Sequence, residues 1–297
     1  MKRQKKLFSQ VDAIICGDLH IRETTPIART DNFIAAQWKK LRYILQLATA
    51  LRCPVYCTGD FFDNWKPSPE LLSTTIRVFK DYPDVEFYTI FGNHDLPQHN
   101  IDNAQKSGLN TLMEAGVVSY HRAGINWGQY PTASSHIRGR AITTWHVMTY
   151  RAGKLPYPGC TDISAEGLLR KYPQYDAIFT GHNHKQFIVK YNGRILVNPG
   201  SMTRQAVDQT HIPSVWLYNA DSNNVEQHIL PHEKDVISDE HITKVEQRDS
   251  RIDAFISLLN TDVDSLSLED NLQKIIRQNK ISKQVETIIY GAIENVG

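Results

Sequence analysis

The sequence predicts an α/β fold with a helical C-terminal extension, and three observations point to it. Strand and helix signals alternate over the first 200 residues. Apolar segments stop repeatedly on a glycine followed by a metal-ligand residue type, and from about Val236 the chain turns polar and helical. In order, Val11-Asp12-Ala13-Ile14-Ile15-Cys16 reads as a buried strand stopping at Gly17-Asp18. A helix fits Asp31 to Leu51, capped by Asp31 or Thr30, with Phe33, Leu41, Ile44, Leu45 and Leu47 at helical spacing. The next strand, Pro54 to Thr58, stops at Gly59-Asp60. Ser68-Pro69-Glu70 supplies an N-cap and a proline at the first helical position, opening a helix to about Tyr82. Val85 to Phe91 is a third strand, stopping at Gly92-Asn93.

A further helix fits Ile101 to Ala115, ended by Gly116. Ala141 to Trp145 is strand-like and runs into His146. Ser164 caps a short helix to Tyr172, and Asp176 to Thr180 runs into Gly181-His182. The pattern then changes. Phe187 to Tyr191 and Arg194 to Val197 flank Asn192-Gly193, a strong hairpin signal, and Ser214 to Tyr218 with Val225 to Leu230 suggest a second hairpin. These antiparallel strands are expected to complete a second sheet. Three helices follow over Glu240 to Leu259, Leu268 to Asn279 and Ser282 to Glu294, with apolar residues such as Ile252, Phe255, Ile256 and Leu259 at helical spacing. The expected organisation is a catalytic domain over 1–235 and a helical extension over 236–297.

Composition narrows the class. Apolar residues at 41% and charged ones at 22% describe an ordinary soluble chain with a sizeable core. A formal charge of +1 gives no global basic field, so any nucleic-acid reading must rest on the site. The opening Met1-Lys2-Arg3-Gln4-Lys5-Lys6 is basic, but no apolar signal core follows it. No run approaches the roughly 18 apolar residues of a membrane span. Cys16, Cys53, Cys57 and Cys160 match neither a paired zinc motif nor a secreted disulfide framework, and read as reduced thiols. A cytoplasmic protein with no membrane partner is expected.

Five strand ends carry the chemistry: Gly17-Asp18-Leu19-His20, Gly59-Asp60-Phe61-Phe62-Asp63, Gly92-Asn93-His94-Asp95, Trp145-His146 and Gly181-His182-Asn183-His184. Sites in open α/β sheets gather beyond the carboxyl ends of strands. One Asp-x-His is weak evidence, and Gly-Asn-His-Asp alone could be a turn. The conjunction decides: five motifs in order, each after an apolar strand. Asp18, His20, Asp60, Asn93, His146, His182 and His184 can hold two divalent cations if Asp60 bridges them. Mixed imidazole and carboxylate ligands suit manganese foremost, with iron or zinc as alternatives, better than magnesium. Two such ions lie about 3.5–4 Å apart and clamp the attacking and leaving oxygens of an in-line phosphoryl displacement. A hydroxide between them would be the nucleophile. His94 is suited to protonating the leaving oxygen, with Asp63 or Asp95 fixing its orientation.

These motifs resemble those of calcineurin-like metallophosphoesterases over roughly residues 11 to 205. The resemblance implies a two-sheet β-sandwich flanked by helices, the metallophosphoesterase fold, with a binuclear centre at the strand ends. Carried over by motif, Asp18, His20, Asp60 and His184 would hold one metal, Asp60, Asn93, His146 and His182 the other, and His94 would be the proton donor. Within the family, Asp18-Leu19-His20, Gly59-Asp60-Phe61-Phe62-Asp63 and Gly92-Asn93-His94-Asp95 are similar to the bacterial SbcD-type nuclease subunits. So is Asn198-Pro199-Gly200-Ser201-Met202-Thr203-Arg204, which makes Arg204 either a contact to a substrate phosphate or a surface arginine closing the hairpin. Where superfamily protein phosphatases carry Arg-Gly after the second motif, this chain has Asn64-Trp65. The stretch from Asn93 to His146 is short for the nucleases, and the tail after Val236 does not clearly match their capping domain. Trp65, Phe61 and Phe62 could stack on bases at the mouth of the site, or the two phenylalanines could serve the core.

The expectation is therefore a two-metal phosphodiester hydrolase acting on DNA. A small-molecule phosphoesterase, for cyclic nucleotides or nucleotide polyphosphates, is the first alternative, and a protein-binding module that has lost metal the second. In the SbcD group, C-terminal helices dock on an SbcC-type coiled-coil ATPase. The apolar stripes here are compatible with that partner, with a homodimer, or with packing on the chain's own catalytic domain.

Overall fold

The computed structural model describes residues 10–261 and 268–294; the basic opening Met1–Lys6 lies outside them, as do the side chains of Phe255 and Leu259. Two sheets form. In the first, β1 (Ala13–Cys16), β2 (Val55–Cys57), β3 (Phe87–Thr89) and β4 (Ser119–Tyr120) run parallel. In the second, the order is β5 (Ser135–Ile137), β6 (Arg140–His146), β7 (Ala177–Gly181), β9 (Arg194–Asn198), β8 (Phe187–Tyr191). Strands β6, β7 and β9 are parallel, with β5 and β8 antiparallel at the edges.

The expectation that both late hairpins complete the second sheet holds for β8–β9 alone. The hairpin of β10 (Ser214–Asn219) and β11 (Asn224–Ile229) joins the first sheet, where Ala13, Ile14 and Ile15 pair with Tyr218, Leu217 and Trp216. That pairing covers the edge of β1, whose backbone groups would otherwise be open to another chain.

The strands read as unbroken apolar runs because both of their faces are buried. Ala13 and Ile15 of β1 point between the sheets and meet Ile142, Ala177, Phe179, Ile195 and Val197 of the second sheet. Ile14 and Cys16, one residue out of phase, face the helices. There they pack with Leu41, Ile44 and Leu45 of α1 (Phe33–Leu51), with α2 (Pro69–Lys80) and with α3 (Gly108–Glu114). Ile178 and Leu196 turn outward in the same way against Leu168 and Leu169 of α4 (Ala165–Lys171). The result is a two-sheet sandwich flanked by helices, as the family resemblance implies.

Helix boundaries follow side-chain chemistry. The cap of α1 is Asn32, whose Oδ1 accepts from the Ala35 amide at 3.0 Å, and not Asp31 or Thr30. Asp31 is engaged elsewhere, in a two-point ion pair with Arg29 at 2.6 and 2.8 Å. Ser68 caps α2 and Ser164 caps α4. The helix expected over Ile101 to Ala115 is broken. Ile101–Lys106 winds as a 3₁₀ segment, and Ser107 starts α3 afresh by accepting from the Asn110 amide. Gly108 lies so close to the Pro67 ring that no side chain would fit, which anchors the break.

Phe61 and Phe62 are buried in the core, so they do not line the mouth of the site. The Phe61 ring lies 5.0 Å from Phe62, 6.0 Å from Phe79 and 6.1 Å from Phe87. Phe61→Ala should therefore cost about 3–5 kcal/mol of folding free energy. Urea unfolding reads this directly, and a loss below about 1 kcal/mol would contradict the packing described. Cys16, Cys53 and Cys57 are buried, Cys160 is half-buried, and all four are free thiols. Among the described residues no helix is long and apolar enough to cross a membrane.

The chain divides into two compact units, Met1–Ser238 and Asp239–Gly297. The second contains α5 (Glu240–Thr261), α6 (Leu268–Gln278) and α7 (Lys283–Glu294). Within it, Ile252, Ile256, Val285 and Ile288 are exposed, and Ile252, Val285, Ile288 and Ile289 line a groove of about 1070 Å³.

Candidate metal centre

Strands β1, β2 and β3 of one sheet and β6 and β7 of the other end in the same region. The loops beyond them interlock through backbone bonds: the Asp18 amide donates to Gly59 O at 3.1 Å, and the His20 amide to Asp60 O at 3.0 Å. Asp18, His20, Asp60 and His182 all have positive φ, at 47°, 45°, 50° and 82°. Non-glycine residues are uncommon there, and such strain persists where the surroundings over-determine it. Two glycines make the approach possible. Gly59 has φ of 94° and lies against the His146 ring, while a Cβ at Gly92 would overlap the Asp60 carboxylate.

The seven predicted ligands gather into two groups. Asp18, His20 and His184 form one, and Asp60, His146 and His182 the other, with ligand atoms in each within 4.8 Å of one another. Asn93 joins the second group, since its Oδ1 lies 3.0 Å from His146 Nε2 and 2.8 Å from His182 Nδ1. Asp60 stands between the two: its Oδ2 is 3.3 Å from His146 Nε2 and 3.6 Å from His20 Nε2. His20 Nε2 and His184 Nε2 face each other at 3.0 Å.

The donor set fits divalent cations on local grounds. The Nδ1 proton of His146 goes to the Thr58 carbonyl at 2.7 Å, which turns Nε2 toward two acceptors, Asn93 Oδ1 and Asp60 Oδ2. Something positive must sit between a ring nitrogen and two oxygens, either a proton or a metal. Burial pushes the His146 imidazolium down, but the Asp60 carboxylate overrides it and carries the group up to about 9. Burial raises the Asp60 carboxyl, and His146 more than reverses this, holding it well below the carboxylate range. Burial lowers His20 well below the usual imidazole range and His182 to about 4, and raises Asp18. Asp18 Oδ2 is buried without a hydrogen-bond partner, which marks it as a ligand atom in waiting.

His94 is partly exposed beside this centre, its ring edge-on to His20 at 4.8 Å. Its Nδ1–H donates to the Asp63 carbonyl at 2.8 Å, leaving Nε2 for chemistry. The Asp63 carboxylate lies 3.1 Å from Arg22 and 3.5 Å from His20 Nδ1, and its potential ligand atom is within 4.8 Å of those of His20 and His94. Asp95 is placed differently from the expectation that it orients the His94 ring. Its carboxylate accepts from the Phe61, Phe62 and Gly92 amides at 3.0–3.1 Å, so it braces the loop that carries Asp60. Burial, reinforced by the Asp60 charge, lifts Asp95 to about 7 against the pull of those three amides. Arg204 is not among the clustered ligands; it donates to the Glu233 carbonyl at 3.1 Å and lines a separate cavity.

Three further contributors were not singled out in the sequence. Thr58 fixes the His146 tautomer and precedes Gly59-Asp60, so its position was in plain view. Trp127 lies over His182 with ring centroids 4.6 Å apart. The Gln209 side-chain amide lies 2.7 Å from His184 Nδ1, and its Oε1 accepts from the Gln205 amide. Trp127 and Gln209 come from irregular segments with no motif around them. Gln209→Ala should lower metal affinity about 10–100-fold, as loss of a group orienting a ligand typically does. Metal titration checks this, and unchanged affinity would mean that Gln209 has no hold on His184.

The sandwich with this centre at its strand ends defines a metal-dependent phosphoesterase as a class. More particularly, the chain belongs to the calcineurin-like phosphoesterase superfamily, whose domain model matches residues 12–223. Among solved structures it is similar to a novel archaeal phosphodiesterase, at 14% identity over 73% of this chain and 99% of that one, with a TM-score of 0.41. It is similar to zinc-bound Vps29 from Entamoeba histolytica at 17% identity, over 72% and 88% of the two chains, with a TM-score of 0.38. A protein of Thermus thermophilus shares 12% identity over 74% and 99%, with a TM-score of 0.45. No curated protein matches the chain.

Proposed function

We propose that the protein is a two-metal phosphodiester hydrolase acting on DNA, in the manner of the SbcD-type nucleases. The observation that carries the two-metal reading is Asp60, set between two ligand groups that otherwise share no side chain. Asp18, His20 and His184 would hold one cation and Asn93, His146 and His182 the other, with Asp60 shared, and manganese suits this mixed set. When bound, the pair supplies Lewis-acid polarisation of phosphoryl oxygens and activates water near neutral pH. The chain's own part is positioning. His94, its Nδ1–H held by the Asp63 carbonyl, delivers a proton from Nε2 to the leaving oxygen. Arg22 pairs with the Asp63 carboxylate at 3.1 Å and fixes its place beside His20 and His94. Trp127 lies over the His182 ring and restricts its rotation.

The polymer substrate is supported by the likeness of Asn198–Arg204 to the nucleases and by the helical second unit. Its apolar groove is compatible with a coiled-coil partner of the SbcC type or with a homodimer. The formal charge of +1 favours the alternative, a small-molecule phosphoesterase. A manganese-dependent assay on end-labelled single- and double-stranded DNA, beside bis(p-nitrophenyl) phosphate, separates the two. Cleaved DNA with a steep fall at rising salt supports the nuclease; intact DNA beside turnover of the small diester moves the assignment to the alternative.

A further inference from the structure

A cavity of about 280 Å³ lies beside the N-terminus of α1, lined by Arg29, Lys39, Lys40, Arg204, His232 and Glu233 among others. None of its lining residues belongs to the metal clusters. Lys40 is only 2% exposed, yet its ammonium has no hydrogen bond or ion pair among the described residues. What exposure Lys40 keeps is on the wall of this cavity, where an anion can meet a largely desolvated ammonium that the protein itself does not pair. Burial, with the Arg29 charge adding to it, depresses Lys40 to about 8, and Asp31 offsets this only in part.

The neighbours do not supply the missing anion. The Arg29 guanidinium pairs with Asp31 and donates to the Arg204 carbonyl at 2.9 Å. Arg204 donates once, to the Glu233 carbonyl, and its buried Nε has no partner. Setting the Arg29–Asp31 pair aside, the lining holds three cations, Lys39, Lys40 and Arg204, and one carboxylate, that of Glu233. The first turn of α1 has no acidic residue, and the Asp31 carboxylate just before it is engaged by Arg29, so the positive end of the helix dipole adds to the field.

We propose that this cavity is an anion site distinct from the metal centre, taking a phosphate group with Lys40 as its counter-ion and Arg204 as a donor. The excess of two positive charges matches a phosphate dianion better than a carboxylate. The cavity and the centre are joined by one short loop. The Met202 amide donates to the Asp18 carbonyl at 3.2 Å, and Arg204 follows two residues later. The phosphate comes from the backbone of a polymeric substrate or from a free phosphorylated ligand, since the recognising chemistry is the same.

The test is titration of inorganic phosphate into the manganese-loaded protein, its Asp60→Ala variant and its Lys40→Met variant, read by calorimetry. Lys40→Met should weaken one class of phosphate site by about tenfold or more, while Asp60→Ala keeps that class. Phosphate binding in Lys40→Met with the stoichiometry and affinity of the wild type would overturn the proposal. Methionine is close to lysine in length and removes a buried charge, so the variant should melt no lower than the wild type. Should it melt lower, Arg204→Gln on the cavity wall gives the same readout. A rise in KM for DNA relative to KM for bis(p-nitrophenyl) phosphate assigns the phosphate to the polymer. Lost phosphate binding with that ratio constant assigns it to a free ligand.

Discussion

Asp60→Ala should abolish binding of both metals and lower kcat/KM by about 10³-fold or more, the scale expected when several kcal/mol of metal-ion stabilisation are lost. The reason is its place between the two groups, with Oδ2 3.3 Å from His146 Nε2 and 3.6 Å from His20 Nε2. Removing any other ligand leaves one of the two positions intact. Removing Asp60 strips both at once and also frees the His94 amide, which donates to Asp60 Oδ1 at 2.9 Å. Without that carboxylate His146 loses what holds its proton, so the electrostatics of the centre collapse along with its geometry. Metal analysis of the purified variant is the check. Two equivalents retained at wild-type affinity would show that Asp60 does not bridge.

His94→Ala should separate metal binding from catalysis. His94 stands beside the ligand groups with its Nδ1 committed to the Asp63 carbonyl, and its removal takes no ligand from the Asp18–His184 or Asp60–His182 groups. Metal content should stay at two equivalents while kcat on a diester with a poor leaving group, DNA under the proposed function, falls about 10²–10⁴-fold, the usual contribution of a general acid. The loss should be much smaller on bis(p-nitrophenyl) phosphate, whose nitrophenolate leaves without a proton. The contrast between substrates is the diagnostic quantity. Equal losses on both would mean that His94 acts on phosphoryl charge and not on the leaving oxygen, and loss of metal would make it a ligand.

Much of this centre was readable along the chain. Each ligand-bearing segment is a few contiguous residues after an apolar strand, and a parallel α/β arrangement delivers the carboxyl ends of such strands to one region whatever the details between them. Asp18, Asp60, Asn93, His146 and the Gly181–His184 turn could therefore be named together from sequence. The same holds for the alternation of strands and helices, for Ser68 and Ser164 as caps, and for the Asn192-Gly193 turn. These are local matters of side-chain chemistry and backbone freedom.

What only the tertiary structure decided is everything that depends on which segments become neighbours. Sequence could not choose a sheet for β10–β11, because antiparallel hairpins look alike until an edge accepts them; the open flank of β1 made that choice. It could not tell that Arg29 would claim Asp31 and leave the cap of α1 to Asn32, since the two roles compete for one carboxylate. Asp95 looked available to its chain neighbour His94, but the fold brings three amides to its oxygens first. Trp127 over His182, Gln209 behind His184 and the lone ammonium of Lys40 had no signature at all. Their meaning lies in what they face across the fold, and a chain read in one dimension carries no record of that.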